Sequence, residues 1–280
     1  MIEQNCLEAI GLKESKKLKE AGQKVVYQAF SEEFGSVAVK VIRPNLNKDR
    51  ILREIDIVQK QRDILTSKIF KYDTFICNGI EYLYIIEEFI DGENLRDYLN
   101  RLGTVPYDEV CKFLKSMIDT IHILEKNSIV HRDIKPENIM RKTDGQFVLI
   151  DFGIARDLSQ GSLTPTESPR GPATIIYAPI EQIDNDKDNI DSRVDLYSLS
   201  LVAYELLCGK NPFVDGCDTE LQVIRKIDKG IFPYLENREY EEMLNFIHTN
   251  MNKYKTRRSN SAEEAKAWFD EIHQKLIEGI

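Results

Sequence analysis

Four side chains of the types used in phosphate and metal chemistry lie within one short stretch of the chain. Residues 130–153 read V-H-R-D-I-K-P-E-N-I-M-R-K-T-D-G-Q-F-V-L-I-D-F-G and include Asp133, Lys135, Asn138 and Asp151. Phosphoryl transfer needs a metal ion held against the phosphates, a positioned hydroxyl and neutralisation of charge in the transition state. A carboxylate for the hydroxyl, a lysine for the phosphate, and an amide and a carboxylate for the metal meet these needs.

Two loops joined by a hairpin must position these side chains. The apolar run from Phe147 to Ile150 follows Asp144-Gly145, a dipeptide typical of hairpin turns. A hairpin at this point directs both loops towards one place, and the pattern therefore predicts a single polar site. The alternative interpretation is a hairpin with an accidental polar loop.

The stretch resembles the catalytic loop and D-F-G motif of the eukaryotic-type protein kinases, with H-R-D-x-K-P-E-N intact. The resemblance implies that Asp133 orients the substrate hydroxyl and accepts its proton, and that Lys135 contacts the transferred phosphate. It implies that Asn138 and Asp151 bind Mg²⁺ (or Mn²⁺). It also implies that His131 is a packed core residue, because Asp133 performs the acid-base work.

Composition restricts the class of protein. The chain has 280 residues, 42% of them hydrophobic and 30% charged, which suits a soluble protein with one large domain or two small lobes. The net charge of −9 argues against nucleic acid or an anionic membrane as the main partner. The most apolar stretch, Leu196 to Cys208, is too short and too interrupted to span a bilayer.

The cysteines and the N-terminus favour a cytoplasmic location. The five cysteines are odd in number, scattered and never in a C-x-x-C pair, which predicts neither a disulfide framework nor a zinc site. The start M-I-E-Q-N-C-L-E-A-I lacks the basic residues and long apolar core of a signal peptide. We therefore expect a reducing, cytoplasmic environment.

The first part of the chain reads as strands. Residues 25–27 and 37–42 are β-rich runs separated by a polar turn, and further strands are predicted near residues 68–75 and 80–88. The run V-A-V-K-V-I resembles the kinase motif V-A-I-K. This similarity implies that Lys40 holds the α- and β-phosphates of ATP.

Residues 47–63 follow a helical pattern, in which Ile51, Leu52, Ile55 and Val58 fall on one apolar face. Within this segment, R-E-I-D-I-V-Q-K resembles the kinase helix αC. The resemblance implies that Glu54 pairs with Lys40 in the active enzyme, with Asp56 as the fallback. The alternative interpretation is that Glu54 is a surface residue.

The loop ahead of these strands departs from the family pattern. Kinases usually carry G-x-G-x-x-G there, so that backbone amides close over the phosphates. Alignment on V-Y puts Lys19, Ala21 and Lys24 where glycines are expected, and Gly22 remains one place off. We expect a stiffer loop and weaker nucleotide binding, with Lys24 adding charge near the phosphates.

The segment E-E-F-I-D-G-E-N-L resembles the hinge between kinase lobes. The resemblance implies that adenine bonds to the carbonyl of Glu88 and the amide of Ile90. Glu87 then occupies the gatekeeper position, where the family usually has an apolar or threonine side chain. A carboxylate there must find a partner or raise its pKa. The full set of nucleotide-binding residues implied by the resemblance is Gly22, Lys24, Val26, Ala38, Lys40, Glu88, Ile90, Asn94 and Met140.

Residues 156–172 are rich in Ser, Thr, Pro and Gly, a composition typical of a mobile loop. They lie where the kinase activation segment belongs. The resemblance implies that Thr164, Thr166 and Ser168 are candidate phosphorylation sites, since an added phosphate could pair with Arg132 and order the loop. A plain surface loop is the alternative.

The segment T-I-I-Y-A-P-I-E-Q resembles the anchor that ends the kinase activation segment. The resemblance implies that Thr174 bonds to the catalytic loop and that Glu181 forms an ion pair with Arg258, with Arg257 as the alternative. Further on, D-S-R-V-D-L-Y-S-L-S resembles the kinase helix αF, which implies that Asp195 braces the backbone of the catalytic loop.

The predicted architecture is an α+β, bilobal protein-kinase fold with a small β-rich N-lobe, including helix αC, and a larger, mainly helical C-lobe. The expected divisions are a tail at 1–11, an N-lobe with hinge at 12–90, a C-lobe at 91–272 and a tail at 273–280. Amphipathic helices are predicted at 95–99 and 107–127, and a helical pattern with a break at Pro233 is predicted from 220 to 277.

The resemblance implies an ATP-dependent serine/threonine protein kinase, because Lys135 follows Asp133 by two places and Thr174 precedes the anchor. ATP would lie between the two lobes. The implied partners are a protein substrate and, through autophosphorylation, the chain itself. Two alternatives stay open: a pseudokinase-like nucleotide-binding or signalling module, and a small-molecule phosphotransferase.

Overall fold

The computed structural model describes residues 4–21, 24–44, 52, 55, 66–151, 156–157, 175–184, 186 and 190–279. The chain divides into two compact units. Unit 1 comprises Met1–Arg62 and Thr66–Asp91, and unit 2 comprises Asp63–Leu65 and Gly92–Ile280. Unit 1 is rich in strands and unit 2 is mainly helical, so the α+β prediction is confirmed. The domain boundaries at 12, 90 and 272 stay predictions.

Unit 1 is built on a five-stranded antiparallel sheet with the strand order β1-β2-β3-β5-β4. Its elements are α1 (Gln4–Glu8), β1 (Leu12–Ala21), β2 (Lys24–Ser31), β3 (Gly35–Ile42), β4 (Ile69–Cys77) and β5 (Ile80–Glu88). The sequence does not predict β1, because its K-E-S-K-K-L-K-E run has almost no apolar residues. Pairing with β2 along its length forms this edge strand.

Each face of this sheet carries an apolar cluster, as the period of two along β3 requires. Val37, Val39 and Val41 point to the face that packs with α1, whereas Ile42 points to the other face. Ile55 is buried there at 2% exposure, but Leu52 is 38% exposed. The prediction that both belong to one apolar face is therefore wrong for Leu52. Residues 52 and 55 have helical backbone, and the rest of 47–63 lies outside the described residues.

A disulfide joins Cys6 of α1 to Cys77 of β4 across a sequence separation of 71 residues. The prediction that the cysteines form no disulfide is therefore wrong for this pair. The count and spacing of cysteines did not reveal it because the sheet, rather than the sequence, places α1 against β4. Cys111, Cys208 and Cys217 are free.

Unit 2 begins with a short strand and continues through helices interrupted by a small three-stranded sheet of order β6-β8-β9. Its first elements are β6 (Gly92–Asn94), α2 (Leu95–Leu102), α3 (Tyr107–Lys126), β7 (Ile129–Val130), β8 (Ile139–Lys142), β9 (Phe147–Leu149) and β10 (Arg156–Asp157). Its later elements are α4 (Ile180–Ile183), α5 (Ser192–Cys208), α6 (Glu220–Lys229), α7 (Glu241–Asn250) and α8 (Ala262–Glu278). The predicted hairpin is confirmed as β8 and β9.

Helix α5 forms the centre of unit 2, because it is buried on all sides along most of its length. Helix α3 packs against α5 and α8, and Phe113 of α3 meets Phe147 of β9 edge to face at 5.3 Å. The helical pattern predicted for 220–277 is divided into three helices. The first of them ends at Gly230, whose φ of 64° belongs to the left-handed region that glycine adopts readily.

Within the described residues, none of the helices combines the length and the apolar character needed to cross a membrane.

Candidate active site

The catalytic loop of unit 2 is held by a buried carboxylate. Asp195 of α5 is 0% exposed, and its two oxygens accept hydrogen bonds from the backbone N–H groups of His131 and Arg132, each at 2.8 Å. Gln182 of α4 adds a bond from its side-chain amide to the carbonyl of Arg132 at 2.8 Å. The prediction that Asp195 braces this loop is confirmed.

Asp133, Lys135 and Asn138 form one hydrogen-bonded cluster. The Nζ of Lys135 lies 2.8 Å from each carboxylate oxygen of Asp133. The Nδ2 of Asn138 donates to the Asp133 Oδ2 at 2.8 Å and to its carbonyl oxygen at 3.0 Å. Because a short 3₁₀ turn over Pro136–Asn138 closes this loop, residues five apart in sequence face each other.

The cluster has the electrostatics of a proton acceptor. Burial raises the pKa of the Asp133 carboxyl above its ordinary value, the charge of Lys135 opposes this change, and the charge of Asp151 adds to it. A carboxylate with a raised pKa accepts a proton more readily near neutral pH.

His131 packs inside unit 2 as a neutral imidazole. Its imidazole is completely buried, and burial lowers its pKa to about 4. The Nδ1 atom accepts a hydrogen bond from the backbone N–H of Asp133 at 3.3 Å, which requires the neutral ring. The interpretation of His131 as a packed structural residue is therefore confirmed.

The hairpin connects Asp151 to the same loop. Met140 of β8 pairs with Val148 of β9, and the N–H of Ile150 donates to the carbonyl of Asn138 at 2.8 Å. Asp151 follows directly, with a φ of 71° in the left-handed region that non-glycine residues seldom adopt. Such backbone strain persists where the surroundings hold it, often at functional sites. The structure thus brings Asp151 to the Asp133 cluster.

These residues fit a hard divalent cation. The Nδ2 group of Asn138 faces Asp133, so the amide oxygen faces away from that carboxylate and retains lone pairs for a metal. Asp151 supplies a carboxylate. Among the described residues there is no group of three or more His, Cys, Asp or Glu side chains suited to a metal. The oxygens of Asn138 and Asp151 are ligands of the kind that Mg²⁺ prefers, and Mg²⁺ commonly uses one or two protein carboxylates together with substrate phosphates.

The anchor of the activation segment is an ion pair sealed inside unit 2. Arg258 is 0% exposed at its side chain, and its guanidinium lies 2.6 Å and 3.3 Å from the two carboxylate oxygens of Glu181. It also donates to the carbonyl oxygens of Arg193, Asn252 and Lys253. The predicted pairing with Arg258 is confirmed, and the alternative partner Arg257 is wrong.

In unit 1, Lys40 is paired with Glu87. The Nζ of Lys40 lies 2.8 Å from Oε1 and 2.7 Å from Oε2 of this glutamate. The hydroxyl of Ser67 donates to the same carboxylate at 2.9 Å. The predicted partner Glu54 and its fallback Asp56 lie outside the described residues, so that pairing stays a prediction.

Three of the predicted nucleotide residues of unit 1, Val26, Ala38 and Lys40, lie on one face of the sheet, whereas Glu88 pairs with Val37 of the other face. Val26 pairs with Lys40 across β2 and β3, and Ala38 lies two residues before Lys40 on the same face. Lys24 begins β2, Glu88 ends β5, and Ile90 is buried just beyond it.

In unit 2, Asn94 and Met140 are direct partners across β6 and β8, and Asn94 also caps helix α2 through its side chain. Besides Glu54 and Asp56, five further candidate site residues named from the sequence lie outside the described residues: Gly22, Thr164, Thr166, Ser168 and Thr174.

Sequence reasoning missed two residues of the site. Ser67 gives no motif signal, because a lone serine between a helix and a strand is common in any protein. Gln182 follows the anchor glutamate and is 1% exposed, yet its contact with the catalytic loop depends on a fold that joins residues 50 positions apart. Glu87 did give a signal, as a carboxylate in an apolar strand.

Comparison with known proteins identifies the family. A family model described as the protein kinase domain matches residues 13–269. The chain is 34% identical over 206 residues to the probable serine/threonine-protein kinase pknA2 of Bifidobacterium longum, an alignment that covers 70% of this chain and 26% of that protein. It is 30% identical over 231 residues to the probable serine/threonine-protein kinase PknB of Lactococcus lactis, covering 79% of this chain and 35% of that protein.

A eukaryotic relative shows a similar likeness. The chain is 30% identical over 250 residues to the serine/threonine-protein kinase cds1 of Schizosaccharomyces pombe, covering 83% of this chain and 52% of that protein. The chain therefore belongs to the protein kinase family, and the predicted protein-kinase fold is confirmed. It spans between about a quarter and a half of the length of these relatives.

Proposed function

We propose that this chain is the catalytic domain of an ATP-dependent serine/threonine protein kinase, which transfers the γ-phosphate of ATP to Ser and Thr hydroxyls of proteins. The observation that carries the proposal is the cluster of Asp133, Lys135 and Asn138 beside Asp151, held on a braced loop. Membership of the protein kinase family implies ATP, a divalent cation and a protein substrate.

Each residue of the cluster has one role in the proposed reaction. Asp133 orients the substrate hydroxyl and takes its proton, and burial prepares it for this by raising its pKa. Lys135, held at 2.8 Å from Asp133, neutralises charge on the phosphate as it moves. Asn138 and Asp151 hold a divalent cation, which supplies charge stabilisation at the phosphates. We assign this cation as Mg²⁺, with Mn²⁺ as a substitute of the same ligand preference.

Unit 1 supplies the nucleotide contacts in this proposal. Lys40 holds the α- and β-phosphates, as the V-A-V-K motif and its place on β3 support. Val26 and Ala38 cover the adenine from the same sheet face, and the backbone of Glu88 and Ile90 bonds to its edge. Lys24 adds a positive charge near the phosphates.

The choice of Ser and Thr over Tyr rests on two observations. Lys135 lies two residues after Asp133 in the sequence, and its ammonium group contacts the carboxylate of Asp133 directly. The relatives named above carry serine/threonine-protein kinase in their names. Autophosphorylation at Thr164, Thr166 or Ser168 is part of the same proposal, with Arg132 as the receiver of the phosphate.

A cytoplasmic location stays a prediction. The cysteines no longer support it, because the structure contains the Cys6–Cys77 disulfide and structural disulfides are rare in a reducing cytoplasm. Non-reducing electrophoresis of the protein purified with alkylated thiols measures whether this bond exists in its natural environment.

The test of the function is transfer of radiolabel from γ-labelled Mg·ATP to the chain itself, to casein and to a basic protein. Asp133→Asn keeps the shape of the side chain and removes the proton acceptor, so transfer should fall by about 10²–10⁴-fold. Asp215→Asn removes an exposed carboxylate paired with Lys210 and is the matched control, with transfer unchanged. Phosphoamino acid analysis should show phosphoserine and phosphothreonine.

Three results would contradict the proposal. Nucleotide binding without transfer would favour a nucleotide-binding signalling module. Transfer to an aminoglycoside with none to protein would favour a small-molecule phosphotransferase. Phosphotyrosine as the main product would contradict the assignment to serine and threonine.

A further inference from the structure

The register of the sheet places a glutamate beside the phosphate lysine. Ala38 of β3 pairs directly with Glu87 of β5, and Lys40 pairs with Ile85. Lys40 and Glu87 are therefore diagonal neighbours on one face of the sheet, a separation that long side chains can bridge.

The contact is an ion pair with little access to water. The side chains of Lys40 and Glu87 are 12% and 7% exposed, and both carboxylate oxygens lie within 2.8 Å of the ammonium nitrogen. Ser67, itself 5% exposed, donates its hydroxyl to Oε2. Since three charged or polar groups are buried together and bonded to one another, the carboxylate has one preferred position.

The segment that carries Ser67 is bonded to strand β5 through the residue that follows it. The backbone N–H of Glu88, which follows Glu87, donates to the carbonyl of Lys68, which follows Ser67, at 2.8 Å. The segment that carries Ser67 is therefore bonded to the strand that carries Glu87. Both partners of the carboxylate, the serine and the lysine, belong to the backbone network of unit 1.

We propose that Glu87 is the positioning residue of Lys40: its carboxylate, oriented by Ser67, holds the ammonium group where it contacts the phosphates of ATP. The proposal rests on the proposed function, since it assigns a role within that reaction. An ammonium group has three N–H donors and can contact a carboxylate and a phosphate at once. The sheet thus supplies Lys40 with a carboxylate partner independently of Glu54.

The first experiment compares four variants with the wild type in steady-state kinetics with ATP varied. Glu87→Met installs an apolar side chain of similar length, and we expect kcat/KM for ATP to fall by about 10–100-fold, because small displacements of a positioned group have effects of this size. Glu87→Gln keeps the shape of the side chain without its charge, so its decrease in kcat/KM should be smaller. The decrease in kcat/KM for Glu54→Gln should also be smaller than for Glu87→Met.

Glu32→Gln is the matched control. Glu32 forms an exposed ion pair with Lys13 in the same unit, with side chains 75% and 60% exposed, and its loss should leave kcat/KM unchanged. Thermal unfolding of each variant verifies that the fold is retained before its kinetics are interpreted.

The second experiment separates positioning from a structural role. The rate at which trinitrobenzenesulfonate labels Lys40, followed by peptide mass spectrometry, should rise several-fold in Glu87→Met, because the amine loses the carboxylate that shields it from the reagent. Ser67→Ala should reduce kcat/KM by a few-fold in the wild type and have no further effect in Glu87→Met. This loss of the Ser67 effect is the coupling expected if Ser67 acts through Glu87.

Two results would overturn the proposal: a folded Glu87→Met protein with kcat/KM within twofold of the wild type, or one that is more active. The second result would mean that Glu87 competes with the phosphates for Lys40. If the wild type transfers no phosphate, the proposed function fails by itself. The role of Glu87 is then decided by calorimetric binding of Mg·ATP, in which Glu87→Met should weaken binding about tenfold and an unchanged affinity would contradict it.

Discussion

The catalytic loop of unit 2 and the side chain of Lys40 in unit 1 are held in place by different means. The loop is fixed through its backbone, by Asp195 and Gln182 from two helices, and its charged side chains bond to one another. Among the described residues, the side chain of Lys40 is paired with Glu87, which Ser67 supports. The loop is thus joined to two helices from distant parts of the sequence, whereas Lys40 is paired across neighbouring strands of one sheet.

The difference follows from the size of the two units. Unit 2 is large enough to bury charged groups completely. The side chain of Arg258 and the whole of Asp195 are both 0% exposed. Unit 1 is a single sheet with a thin apolar cluster on each face, and it carries a covalent link between α1 and β4. Small cores commonly depend on such links.

The largest effect that tests this comparison is expected for Arg258→Ala. This change leaves the carboxylate of Glu181 buried without its partner, so the free energy of unfolding of unit 2 should fall by about 3–5 kcal/mol. Trp268, the only tryptophan of the chain, lies on α8 and packs against Phe246, so its fluorescence in urea reports the unfolding of unit 2.

The matched control is Lys210→Ala, which breaks an ion pair whose side chains are 65% and 57% exposed. Its effect should stay below about 1 kcal/mol. Equal effects of the two changes would mean that the buried ion pair of unit 2 stabilises the fold no more than the exposed one does.

A smaller effect is expected from the disulfide, and it should be confined to unit 1. Replacement of both Cys6 and Cys77 by serine should lower the free energy of unfolding of unit 1 by about 3 kcal/mol, since the bond closes a long loop in the unfolded chain. Hydrogen exchange in strands β1 to β5 measures this change, and the Trp268 transition should not move. Reduction of the wild type should reproduce the double variant; faster exchange in α5 would show that the effect is not local.

The smallest effect concerns the pH dependence of Asp195. Burial raises the pKa of its carboxyl from 3.8 to about 7 in the folded protein, although the two backbone N–H groups oppose this change. Between these values the folded protein retains a proton that the unfolded chain has released, so this group makes the free energy of unfolding fall as the pH rises.

Asp195→Asn removes the titration while keeping the shape of the side chain. From pH 5 to pH 6, the wild type should therefore lose about 1 kcal/mol of unfolding free energy relative to this variant. Urea titrations with Trp268 fluorescence measure it at each pH. Two stability curves that run parallel across this range would show that the carboxyl does not titrate there.

Much of the site could be predicted because its contacts are local. Asp133, Lys135 and Asn138 lie within six residues, so a motif and one tight turn are sufficient to bring them together. The hairpin that leads to Asp151 is equally local. The pairing of Glu181 with Arg258, 77 residues apart, was predicted from a resemblance, because periodicity alone carries no information on contacts of that range.

Three misses in unit 1 share one physical cause, which is that the sheet brings together segments that are distant in sequence. The edge strand β1 has a composition that favours no strand by itself and is formed by its hydrogen bonds to β2. Cys6 and Cys77 are unremarkable in sequence until α1 lies against β4. The partner of Lys40 among the described residues is set by the register of β3 and β5.

The sequence by itself determined which side chains of the catalytic loop meet, because their spacings are short and one tight turn brings them together. It also determined the alternation of strands and helices through their apolar periods. Only the tertiary structure decided which charged side chains form ion pairs and which cysteines form a disulfide. Long-range electrostatic and covalent partners depend on distances in space, and those distances follow from strand register and helix packing rather than from position along the chain.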